Sequence, residues 1–342
     1  MKFSNIYMLY PDSRALEQAI SESRDLLTPE QSAAVLPDRR VTVADNFLHT
    51  RGNFEQQRFS SKVFEDLRDV LELSLTDELH EKDPMAWADG QNRLGNIYAA
   101  LGQQQHNTEW YENAIGCFNK ALNQLSRETS PLEWAAAQFN LGAASQALGR
   151  LAGDKKSLKE AVDAYTNTLL VWTRNETPEE WTLAMHNLGA AFHEQGKLLK
   201  GNRVFQKSVV AYKNALAVLD ADNYALELTA THNNRGAVLH HLAESEENAG
   251  RLEEAIRAYE KAWTVSMEQQ LPIHIAVICR VNKATAKTVL AELTHDAGLA
   301  EEMADEFEVI MECFPHALQP LCKKHCEAQM EKAKSLALAT SA

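Results

Sequence analysis

Three short stretches decide the reading of this chain: Pro84-Met85-Ala86-Trp87, Pro131-Leu132-Glu133-Trp134 and Pro178-Glu179-Glu180-Trp181, spaced 47 residues apart. The same step links Gly95, Gly142, Gly189 and Gly236, then Phe118, Tyr165, Tyr212 and Tyr259, then Ala114, Ala161, Ser208 and Ala255. Pro37 and Pro272 fall on this lattice, and Ala225 takes the place of proline in one unit. Six units of 47 residues follow, at 37–83, 84–130, 131–177, 178–224, 225–271 and 272–318, with no insertion or deletion between them. A sustained period of this length marks a repeat architecture, in which each unit buries its apolar face against its neighbours.

Each unit reads as two helices. The first opens on a polar residue followed by proline, at Asp83-Pro84, Ser130-Pro131 and Thr177-Pro178. A side-chain oxygen there is expected to accept an orphan backbone N–H, while proline at the first helical position forfeits no bond. Ser130 with Glu133 and Thr177 with Glu180 have capping-box spacing. Gly102, Gly149 and Gly196 are expected to stop these helices in the left-handed conformation. The second helix carries one apolar stripe, as at Ala114, Ile115, Phe118, Ala121 and Leu122.

Asn140-Leu141-Gly142 and Asn187-Leu188-Gly189 resemble the first-helix core of tetratricopeptide repeats, and the segment 251–262 resembles their second helix. The resemblance spans 37–318 and is strongest in the four central units; in the outer two, Leu48 and Lys283 replace the glycine. The usual unit of that family has about 34 residues. The extra length here lies between Gly95 and Ala114 and in the link to the next unit, as longer helices or longer loops. The resemblance implies an all-α, right-handed helical-hairpin solenoid, whose first helices line a concave groove for a protein or peptide. Residues 1–36 then read as an N-terminal capping region with a helix over 12–27, and 319–342 as a C-terminal capping helix and tail.

Carried onto this sequence, the groove positions include Asn92, Asn96, His186, His193, Asn233 and His240. The remaining positions are mostly small or neutral, and none of the twenty in the central units is lysine or arginine, so a basic clamp for a peptide carboxylate is not expected. Asn140, Asn187 and Asn234 recur two residues before the repeat glycine, with Asn46 in the first unit and Arg93 between. A carboxamide offers one acceptor and two donors, matching both polar groups of a peptide backbone. Such a ladder would hold an extended chain from side chains that face water in the free groove; the same amides can instead bond the adjacent helix and set packing. Trp87, Trp134 and Trp181 likewise fit interhelix packing or ligand stacking.

Formal charge is -14, from 34 Lys+Arg against 48 Asp+Glu. That balance disfavours nucleic acid and anionic membrane surfaces, both of which require basic patches. No apolar run approaches the ~18 residues that span a bilayer, and the N-terminal stretch lacks a signal-peptide cleavage site. Five cysteines, three of them near the C-terminus, argue for a reducing compartment, and cytoplasm is expected. Cys313, His316, Cys322, His325 and Cys326 are the one ligand-type cluster, read either as a zinc or thiol site or as buried structural thiols. No phosphate loop, nucleophile elbow or metalloprotease motif is present, so no cofactor and no catalysis are expected. The apolar N-terminal residues Phe3, Ile6, Tyr7, Leu9 and Tyr10 leave self-association open as an alternative to an adaptor role.

Overall fold

The structure, a computed structural model, describes residues 54–315, 318 and 320–339. Among them are thirteen helices and no strand: α1 (Phe54–Ser74), α2 (Asp77–Lys82), α3 (Pro84–Gln105), α4 (Thr108–Leu122), α5 (Pro131–Ala152), α6 (Lys155–Thr168), α7 (Pro178–Leu199), α8 (Asn202–Leu216), α9 (Ala225–Glu246), α10 (Ala249–Glu268), α11 (Ile273–Thr294), α12 (Ala297–Cys313) and α13 (Pro320–Ala339). They fall into two compact units that divide after Leu199. The N-terminal capping region, the opening of the first repeat with Asn46, and His316 lie outside the described residues.

In the unit ending at Leu199, α3 packs on α4, α4 on α5, α5 on α6 and α6 on α7. In three of the helical pairs the setting contact is a close approach through the repeat glycine. A Cβ on Gly95 would lie 2.5 Å from the Phe118 ring, and one on Gly142 would lie 2.8 Å from Tyr165. In the unit from Lys200 onward, a Cβ on Gly236 would lie 2.7 Å from Tyr259. The rings of Phe118, Tyr165 and Tyr259 are almost completely buried.

Gly102, Gly149 and Gly196 do not end helices, a correction to the expectation above. α3, α5 and α7 run three residues past them, and the left-handed residues that follow first helices are His106, Gly153, Lys200, Glu247 and His295. Gly102 and Gly149 serve a second close contact: a Cβ on Gly149 would meet Leu158 Cγ at 2.7 Å and its backbone N at 2.9 Å. Each left-handed residue except Lys200 is followed by a side-chain cap of the second helix, from Asn107, Asp154, Asn248 or Asp296; Gly201 has none to offer. The extra length of the repeat is therefore partly helical, in first helices of 22 residues.

The rest of it is a closed turn. Ser126 Oγ accepts Thr129 N–H, Thr173 Oγ1 accepts Glu176 N–H, and Asp220 Oδ1 accepts Asn223 N–H, all at one lattice position. Such local bonds compete with the helix and end it. Ser130 and Thr177 turn their hydroxyls back into these turns, onto the backbone of Ser126 and Thr173, so the capping boxes do not form. Asp83 does cap, accepting Ala86 N–H.

The next lattice position is Met267, which has no side-chain oxygen. α10 accordingly continues to Glu268, Gln270 takes φ 52°, and Pro272 becomes the N-cap of α11 instead of its first residue. One residue is thereby inserted, so the last unit is offset by one from the 47-residue lattice. Ala284, not Lys283, occupies the glycine position, and Phe307 takes the place of Tyr259; both are fully buried. At the other end, α1 runs unbroken from Phe54 to Ser74, through 59–60 where the lattice places the turn of the first hairpin. α13 packs on α11 and α12, and Cys326 and Ala333 complete a core with Val277, Val281 and Phe307.

Gly142→Ala is expected to lower stability by about 1–3 kcal/mol, because the methyl overlaps the Tyr165 ring. Gly116→Ala, with nothing within 4 Å of its Cβ, is expected to be neutral or to gain up to about 1 kcal/mol from helix propensity. Denaturant titration of the two variants checks both.

Candidate functional site

The amides on the first helices are placed by helix geometry: residues two and three before the repeat glycine sit where consecutive first helices approach. Asn140 on α5 donates from Nδ2 to Asn92 Oδ1 on α3, at 3.1 Å. The offset of the last unit brings Asn282 on α11 into the position of Asn140, and its Nδ2 donates to Asn233 Oδ1 on α9 at 2.9 Å. Asn233 in turn donates to Asn234 Oδ1 at 3.4 Å. The amides are thus bonded between neighbouring helices, one repeat to the next. Asn282 was missed by sequence reasoning because the unshifted lattice put it one residue from the asparagine column.

Asn187 breaks this pattern. It is fully buried on α7, and neither Oδ1 nor Nδ2 has a hydrogen-bond partner. The position that Asn92 and Asn233 fill is Phe139 in the unit preceding Asn187, and a phenyl ring supplies no amide acceptor. Burying an amide unpaired costs about 1–3 kcal/mol, so Asn187 is a destabilising group as it stands.

The expectation that these side chains face water is corrected by their burial. Asn96, Asn140, His186, His193, Asn233, Asn234 and His240 are all buried, and Asn92 alone is half-exposed. His240 has neither ring nitrogen hydrogen-bonded, with Glu244 Oε1 3.8 Å from Nε2. Desolvation pushes its pKa down to about 3, helped by His241, Lys332 and His325. Desolvation alone does the same to His186. Neither gains a proton between pH 7.5 and 5.5, so these two positions carry no charge switch over that range. His232 on the same helix as His240, unremarked in the sequence, is held down to about 4 by desolvation and then by Lys261 and Arg235.

The tryptophans sit at the loop ends of the first helices. His80 stacks on Trp87 at 4.2 Å and Arg174 lies over Trp181 at 5.9 Å, while Trp134 packs into the core of its own unit. His80, on α2, and Arg174, in a turn, are two lattice steps apart, so each ring contact fastens the segment before a first helix to that helix.

The C-terminal cluster is only partly gathered. Cys313 is exposed, Cys322 half-buried and Cys326 buried, while His325 Nε2 lies 2.9 Å from Thr285 Oγ1. Among the described residues no three of His, Cys, Asp and Glu converge as a metal site would require. No described helix is long and apolar enough to cross a membrane.

These features define an all-helical repeat protein built of stacked hairpins. No family model and no curated protein matches the sequence. Among solved structures, the crystal structure of BtubC (BKLC) from P. vanneervenii is similar at 16% identity and a TM-score of 0.49, covering 75% of this chain and 94% of that one.

Two outcomes test the site's chemistry. Asn282→Ala orphans Asn233 Oδ1 and is expected to lower stability by about 1–3 kcal/mol in denaturant titration. Below pH 6.5 the unfolded chain takes up protons that folded His186 and His240 refuse. Stability should therefore fall as pH drops from 6.5 toward 3, with each histidine contributing up to about 1.4 kcal/mol per pH unit. His240→Gln should reduce that slope in melting curves taken across this range.

Proposed function

We propose that the chain is a non-catalytic member of the tetratricopeptide kind, acting in the cytoplasm as an adaptor that holds an extended segment of another protein along its first helices. The observation that carries this reading is Asn187, a fully buried carboxamide whose donor and acceptor are both unmet. A peptide backbone passing along the helices presents a C=O and an N–H together, which is the complement of a free carboxamide. Relief of the orphaned amide then adds to affinity, because the cost is already present in the free protein. Binding requires the covered face to open, so association is coupled to a local rearrangement.

The surroundings favour a backbone ligand over a charged one. His186 is neutral at physiological pH, and the twenty groove positions of the four central units carry no lysine or arginine, with Arg93 the one cation in the column of Asn140, Asn187 and Asn234. The net charge of -14 works against nucleic acid and anionic lipid.

The test begins with a peptide array probed with the full chain, followed by calorimetric titration of the binding peptide. Asn187→Ala should weaken binding by five- to a hundredfold, about 1–3 kcal/mol. Its melting temperature should stay level or rise, since the substitution removes an unpaired buried amide. Unchanged affinity, or a destabilised variant, would assign Asn187 to packing and remove the support for this reading.

A further inference from the structure

The C-terminal thiols supply an observation independent of the ligand face. α13 begins at Pro320, placing Cys322 in its first turn and Cys326 one turn later on the same side. Cys326 is fully buried in the core formed with Val277, Val281, Phe307 and Leu318, and Cys322 packs at the rim of that core, half-buried. Both therefore pack against one core from one face of the helix. Cys117 and Cys279 are isolated buried thiols, and Cys313 is exposed on the last residue of α12.

We propose that Cys322 and Cys326 form a hydroperoxide-responsive dithiol, in which Cys322 is the reacting thiol and Cys326 resolves it. The neighbouring Cys326 thiol, as a donor, favours the thiolate of Cys322 against the opposing effect of burial, whereas Cys322 and burial together raise Cys326 well above the usual thiol range. A position in the first turn of a helix also favours an anion. Cys117 and Cys279 are pushed the other way by desolvation, Cys117 to about 11.

The chemistry balances with one hydroperoxide. Cys322 thiolate attacks the peroxide, the O–O bond breaks, and the departing alkoxide or hydroxide takes a proton, leaving a sulfenic acid. The Cys326 sulfur then attacks the Cys322 sulfur; the S–S bond forms, the S–O bond breaks, and the lost hydroxide leaves as water with the Cys326 proton. Two thiols and ROOH give one disulfide, ROH and water. Cα atoms one helical turn apart lie about 6 Å from each other, within the span of disulfides. The Cβ atoms, about 5–6 Å apart in a regular helix, must close toward ~3.8 Å. Distortion of the first turn of α13 supplies this movement, since its leading N–H groups have no helical partners to lose.

The experiment uses the full chain treated with hydrogen peroxide, alkylated, digested and mapped by mass spectrometry in a Cys313→Ser background. The expected product is a dithiothreitol-reversible link between the peptide ending at Lys323 and the peptide beginning at His325. Cys322→Ser should abolish it, and Cys326→Ser should leave a Cys322 sulfenic acid trapped by dimedone. In the absence of peroxide, alkylation of Cys322 should slow several-fold in Cys326→Ala and recover in Cys326→Ser, which keeps a donor; circular dichroism confirms that each variant is folded. A link that fails to form in the folded Cys313→Ser protein overturns the proposal. So does alkylation of Cys322 at equal rates in all three Cys326 forms.

Discussion

Three hairpins of this protein rest on the absence of one carbon atom. Gly95, Gly142 and Gly236 leave room for Phe118, Tyr165 and Tyr259 to lie directly on the first helix, where a Cβ would come within 2.5–2.8 Å of the ring. The large ring recovers the apolar burial that the glycine forgoes, and the helices pack closer than side chain on side chain permits. Where the column changes to Ala284, its partner becomes Phe307, and the pair remains fully buried. The hairpin contact thus tolerates one methyl at the end of the array, in a unit whose register has already shifted.

Close packing of the backbones has a second consequence, at the next level of organisation. It brings consecutive first helices near enough for short carboxamides to bridge them, Asn140 to Asn92 and Asn282 to Asn233. A buried amide bonded to another amide fixes the stagger between repeats, because sliding one helix by a residue orphans both partners. Asn187 has the same place in its helix without the complementary residue, so the rule that explains its neighbours makes it the exception. A polar group left unmet in an otherwise satisfied series is where a ligand gains most, which ties the proposed binding to a specific side chain and not to the repeat architecture alone.

The turns between hairpins show how a single side-chain oxygen sets helix length. Ser126, Thr173 and Asp220 each draw a backbone N–H out of the helical path, and the second helices of those units end before them. Met267 has nothing to draw with. Its helix continues, the chain turns through Gln270, and every later residue is displaced by one. Pro272 concealed this in the sequence: it sits on the lattice, but as a cap where the other prolines are first residues.

The period, the two-helix unit, the aromatic column and the all-α class were legible from residue spacing, because a helix pair that stacks on copies of itself repeats its contacts at the same residues. The terminating role given to Gly102 and Gly149 was not, since glycine serves equally for a left-handed turn and for a close approach, and only the position of Tyr111 and Leu158 shows which is at work. Candidate ligand residues were found by register, yet their state depended on neighbours far away in sequence. Whether an asparagine is bonded, as Asn140 is, or orphaned, as Asn187 is, turns on the residue about one repeat earlier. The sequence by itself therefore determined the repeating framework, which is a matter of local pattern, while hydrogen-bond satisfaction, burial and histidine charge were decided by the tertiary structure, because each depends on what a different helix brings within three or four ångströms.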